Sequence, residues 1–151
     1  MHPRIAIDVK KLKKSGVEII FDNQDVINTF IFILHGPKDS LYEGGKWRVR
    51  VHIPSEYPFK SPSVGFIDKI LHPNVDLRSG SICLDVLNQT WTPIFNLSHI
   101  HDTFLPQLLL YPNADDPMNE HIAIIMIEAP EDYKKIIRNS IVEGISPYSS
   151  S

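Results

Sequence analysis

Three consecutive segments crowded with β-branched and aromatic residues constrain this chain most: VEIIF from Val17, INTFIFIL from Ile27 and KWRVRVHI from Lys46. In the last of these Val49, Val51 and Ile53 alternate strictly, the period-two pattern of a strand with one buried face. FDNQD and HGPKDSLYEGG separate the segments, and such turn-forming spacers read as connections between consecutive antiparallel strands. A fourth short strand, SVGFI, begins at Ser63 after the proline-rich YPFKSP.

Helical patterns flank this block. In RIAIDVKKLKK the apolar Ile5, Val9 and Leu12 recur at helical spacing, with Lys10, Lys11, Lys13 and Lys14 mostly on the remaining surface. NLSHIHDTFLPQLLL predicts a helix with Asn96 or Ser98 as cap and a kink at Pro106. DDPMNEHIAIIMI predicts another, capped by aspartate with Pro117 in its first turn, and the all-apolar IAIIMI implies full burial. A last helix runs from Pro130 to Gly144. Between His72 and Pro93 no period persists, and a long structured loop is expected, a feature that commonly carries function. The order of helix, strands, loop and helices gives an α+β class with a four-stranded antiparallel sheet. One domain is expected over residues 1–146, with a frayed tail at 147–151.

Composition removes several function classes. With 42% hydrophobic and 22% charged residues the chain is too apolar and too weakly charged to be disordered. A formal charge of −3 leaves no footprint for bulk nucleic-acid binding. The longest apolar runs, FIFIL and IAIIMI, fall far short of the ~20 residues that cross a bilayer, so no membrane partner is expected. A single cysteine forms no internal disulfide and the chain opens with no signal-peptide pattern, so the expected location is cytoplasmic, nuclear or both.

That cysteine, Cys83, lies in SGSICLDV. Free cysteine is often inert core. Against this, Cys83 sits among turn residues in the long loop, where function concentrates. Asp85 two residues away makes a poor setting for a protease thiolate, and of seven histidines only His72 shares the loop. A hydrolase built on Cys83 and His72, and a metal site at His99 and His101 in SHIHD, are weaker readings.

HPN at His72 to Asn74, then SGSICLDV, then Trp91, with YPFKSP upstream and PNADDP downstream, resembles the ubiquitin-conjugating enzymes, with the motifs in that family's order. GPKDSLYEGG, SICLDVLNQTW and FLPQLLLYPN are similar to the H-type subgroup in particular. The resemblance implies the ubiquitin-conjugating fold and a thiol that carries without hydrolysing. Cys83 would take ubiquitin from a ubiquitin-activating enzyme as a thioester and present it to a substrate lysine with a RING-type ubiquitin ligase. It implies no cofactor and no metal, ATP being used by the activating enzyme.

By the same match, Asn74 resembles the family asparagine that holds the developing oxyanion or braces the active-site loop. Asp116 occupies the acidic gate position before Pro117, and would orient the lysine amine and receive its proton. Its alternative is a helix cap. His72 is expected to be structural and Asp85 supporting. Phe59, Pro93 and Ile94 match the positions that meet the ligase, and Lys10, Lys11 and Lys14 those that meet the activating enzyme. Tyr57 before Pro58 is a candidate cis bond, while Trp91 and Tyr42 read as packing.

Overall fold

The structure is a computed structural model that describes residues 3–21 and 28–144. The start of the second strand segment at Ile27 and the tail at 147–151 lie outside the described residues. Helix α1 (Pro3–Lys14) leads into β1 (Ile19–Ile20), β2 (Thr29–His35), β3 (Lys46–His52) and β4 (Ser63–Phe66). The four strands form one antiparallel sheet in sequence order, as their spacers predict.

β3 keeps its alternation in space, with Trp47, Val49 and Val51 buried and Lys46, Arg48, Arg50 and His52 exposed. β2 is buried on both faces from Phe30 to Leu34. On its outer face Ile31 and Ile33 stand opposite Arg50 and Arg48, whose hydrocarbon stems suit that cover. On the inner face Phe30, Phe32, Leu34, Val49 and Val51 meet Ile5, Val9 and Leu12 of α1 in one core cluster.

The segment expected to be a continuous loop from His72 to Pro93 contains a helix, α2 (Leu84–Thr90). Seven residues give periodicity too little length to register. α3 (Leu97–His99) is capped by Asn96, whose side chain accepts from the His99 amide. A π-turn (Ile100–Phe104) and α4 (Leu105–Leu110) follow. Pro106 has no N–H to give, and just before it the ladder slips by one, Leu105 bonding back to Ile100.

Two expectations for the next helix, α5 (Glu120–Glu128), are corrected. Its cap is Asn119, which accepts from the Ile122 amide, not an aspartate. Asp116 lies outside the helix with a left-handed φ of 50°. Nor is α5 fully buried: Ile122 and Ala123 face the core, while Ile124 and Ile127 are 58% and 61% exposed. An apolar run with no polar side still has only one side packed. α6 (Pro130–Glu143) begins and ends where proline and glycine predict.

Candidate active site

The turn His72–Pro73–Asn74 is buried and organises everything around it. The His72 ring is fully enclosed, its Nδ1 accepting from the Asn74 amide at 2.9 Å and its Nε2 donating to the Leu108 carbonyl at 2.8 Å. Burial pulls its pKa down to about 4, because a charged imidazolium there would lose its water. A neutral ring with both nitrogens engaged is no base for a thiol, so the hydrolase reading has no support. Its expected structural role is what the contacts describe.

Asn74 turns its side chain onto a second loop. Nδ2 donates to the Asn113 carbonyl at 2.8 Å and Oδ1 accepts from the Asn113 amide at 2.9 Å. The Pro73 carbonyl accepts from the amides of Met118 and Asn119, at 2.8 and 3.0 Å. The loop that carries Asp116 is thus pinned on both sides of it. Asp116 itself is exposed.

Cys83 is brought to the same place by backbone pairing. Val75, next after Asn74, bridges to Ile82, and the Asp76 amide bonds the Ser81 carbonyl at 3.0 Å. The return between them turns at Gly80, whose φ is +74° and where a Cβ would stand 1.8 Å from the Phe66 carbonyl oxygen. Only glycine fits there. Cys83 follows as the half-buried residue at the N-terminus of α2, its side chain making no capping bond. Asp85 lies within α2, but its side chain is outside what is described.

The residues that the resemblance assigns to partners lie on loops and on α1. Phe59 is 79% and Ile94 85% exposed, and Pro93 is exposed beside it. Their loops are joined where Trp91 Nε1 donates to the Pro58 carbonyl at 2.8 Å, next to a cis Tyr57–Pro58 bond. Lys10, Lys11 and Lys14 lie exposed on α1. Trp91 and Tyr42 are buried packing residues, as read.

Sequence reasoning missed Asp8. Its carboxylate is 1% exposed and accepts from the Tyr57 hydroxyl and from Arg4 Nε, while Arg4 also reaches the Phe95 carbonyl at 2.8 Å. The signal was present, since Asp8 follows Ile5 by three residues on the apolar stripe of α1. Among the described residues no three His, Cys, Asp or Glu side chains converge as a metal site would require. His99 stacks on Phe95 at 3.8 Å and His101 packs edge-on against Phe32.

Known proteins of one family resemble this chain over most of its length. The family model for ubiquitin-conjugating enzyme matches residues 4–141. Ubiquitin-conjugating enzyme E2 5 of Arabidopsis thaliana is 51% identical over 89% of this chain and 72% of its own. Ubiquitin-conjugating enzyme E2-23 kDa of Triticum aestivum is 50% identical over 95% and 80%. A solved ubiquitin-conjugating enzyme domain from Toxoplasma gondii superposes with a TM-score of 0.82 at 27% identity, covering 93% of this chain and 95% of that one.

Proposed function

This chain belongs to the ubiquitin-conjugating enzyme family, and on that premise we propose that Cys83 carries ubiquitin and that the turn at His72–Asn74 and the loop at Asp116 serve its transfer. The activity is that of a transferase: ubiquitin arrives from an activating enzyme, is held as a thioester, and leaves for a substrate lysine with the help of a ligase. The observation that carries the residue assignment is the convergence of three segments. The buried turn grips the Asp116 loop through Asn74 and Pro73, and holds the Cys83 run through the Val75–Ile82 bridge.

In the first step the Cys83 sulfur attacks the thioester carbonyl on the activating enzyme, whose cysteine leaves as the new thioester forms. In the second a lysine nitrogen attacks that carbonyl, Cys83 leaves as the thiolate, and the lysine proton is released. At neutral pH only about one lysine in a few thousand is uncharged. Asp116, exposed beside the site, orients the amine and receives the proton, while desolvation under the incoming substrate favours the neutral amine. Asn74 braces the two loops through Asn113, and its amide is the donor available to the oxyanion.

Phe59, Pro93 and Ile94 form the ligase contact, an exposed apolar patch of the kind that anchors small interfaces. Lys10, Lys11 and Lys14 form the contact with the activating enzyme. The reaction needs no bound cofactor on this chain, and its place is the cytoplasm, the nucleus or both.

The test mixes the protein with ubiquitin, activating enzyme, magnesium and ATP. A reductant-sensitive adduct forms, and Cys83→Ala does not form it. An adduct that survives this substitution, or none from folded protein, overturns the assignment.

A further inference from the structure

The connection between β2 and β3 is built more tightly than a spacer between strands requires. The Gly36 amide donates to the Gly45 carbonyl and the Gly45 amide to the Tyr42 carbonyl, each at 2.9 Å. The Ser40 hydroxyl donates to the Pro37 carbonyl at 2.7 Å and accepts from the Tyr42 amide at 3.1 Å. A Cβ at Gly36 would stand 1.8 Å from the Tyr42 carbonyl oxygen, so backbone lies directly against backbone there. Both backbone groups of Tyr42 are therefore bonded within the connection.

Helix α6 adds a second hold. Arg138 Nη1 donates to the carbonyls of Leu41 and Glu43, the residues on either side of Tyr42, each at 2.8 Å. A planar guanidinium suits such a pair of acceptors, and the bonds join parts of the chain 95 and 97 residues apart.

What this mount carries is the Tyr42 side chain. It is fully buried, its ring lies 5.5 Å from the His72 ring, and its hydroxyl donates to the Leu71 carbonyl at 2.7 Å. Burial pushes its pKa well above the ordinary tyrosine range, so the hydroxyl remains a donor at any working pH. Packing alone would be served as well by a phenylalanine. A hydroxyl taken into the core loses its water and returns a directional restraint on the carbonyl it meets.

That carbonyl belongs to the residue immediately before the buried turn. From it the contacts run on without a gap: His72 Nδ1 accepts from the Asn74 amide, and the Asn74 side chain engages the Asn113 backbone through both of its polar atoms. We infer that Tyr42 is a positioning residue for transfer to lysine. Held by Arg138 of α6, it fixes the Leu71–His72 backbone and with it the placement of the Asn74 side chain. The inference rests on the transfer role of the His72–Asn74 turn, and deepens it by naming what holds that turn in place.

The test follows single-turnover discharge of ubiquitin-charged protein to free lysine as the lysine concentration is raised. Tyr42→Phe keeps the ring and loses the donor. It lowers the rate at saturating lysine by about tenfold, because the buried Leu71 carbonyl moves toward another donor and takes the turn with it. The half-saturating lysine concentration and the amount of thioester formed stay within about twofold. Arg138→Gln, at a half-buried position, gives the same split at about threefold. On an Asn74→Ala background Tyr42→Phe changes the saturating rate by less than about twofold, since the group it acts through is gone. Uncharged protein supplies a second readout: in Tyr42→Phe the side-chain amide resonances of Asn74 shift and the backbone amide of Ile94 does not. An unchanged saturating rate, or a tenfold loss that persists on the Asn74→Ala background, overturns the inference, as does a lowered melting temperature with both readouts unmoved. Failure of the unsubstituted protein to form a thioester, with the Asn74 resonances still shifting in Tyr42→Phe, overturns the role of Cys83 instead and leaves the hold of Tyr42 on the turn standing.

Discussion

Around Cys83 the polar side chains point inward and are committed to backbone: His72 to Leu108 and Asn74, Asn74 to Asn113. In the loops that carry Phe59 and Ile94 the arrangement is reversed, with large apolar side chains standing in solvent above the buried Asp8 and Tyr57 and the half-buried Arg4 that joins them. A reaction centre must keep a loop in register within fractions of an ångström, and directional hydrogen bonds to backbone do that. The proposed docking surface instead offers apolar area, and its rigidity comes from beneath, where the Asp8 cluster ties α1 to the two loops.

The sharpest way to break this contrast is Asn74→Ala. It leaves the Asn113 backbone without its partner and removes the proposed oxyanion donor, so transfer to lysine falls by about 10²–10³-fold while the thioester still forms. Single-turnover discharge measures the first and a non-reducing gel the second. Equal loss of both would mean that the turn holds the fold alone.

Next in size is the response to acid. Between pH 6.5 and about 4 the unfolded chain protonates His72 and the folded chain does not. Stability therefore rises with pH across that window, and the contribution is fully present above 6.5. It is lost as pH falls through the window, by about 3 kcal/mol at its lower end. Urea unfolding at pH 7.5 and pH 4 reads the slope, and His72→Gln flattens it.

Asp8→Asn tests the cluster beneath the proposed docking surface. Arg4 loses its charged partner, folding stability drops by about 1.5–3 kcal/mol, and ligase-stimulated discharge falls while unstimulated discharge does not. Thermal melts and discharge with and without a RING domain separate the two. The smallest structural effect belongs to Phe59→Ala and Ile94→Ala, whose side chains are already in water. Stability stays within about 0.5 kcal/mol, yet stimulation by a RING domain falls about tenfold. A large loss of stability would show that these residues are packed, and the contrast would fail.

Much of the fold was legible because its signals are local. The alternation of β3, the stripe on α1 and the Pro130 and Gly144 ends of α6 each report on neighbours two to four residues away. The proposed site was read chiefly from short motifs around His72, Cys83 and Asp116. α2 escaped because it is short, and its cap is Cys83, a residue type outside the usual cap set. Asp116 looked like a cap because Asp before Pro commonly is one. Asn119, three residues later, serves instead because the Pro73 carbonyl holds the Met118 and Asn119 amides.

By itself, then, the sequence determined the order of elements, the antiparallel sheet and the residue that bears the thiol. Tertiary structure decided which groups are buried and which are joined. The Asn74–Asn113 clamp closes over 39 residues and the Arg4–Phe95 tie over 91. No local period reports a partner at that distance. For the same reason the apolar run of α5 could not reveal that Ile124 and Ile127 face solvent, since exposure depends on what else in the chain arrives to cover a face.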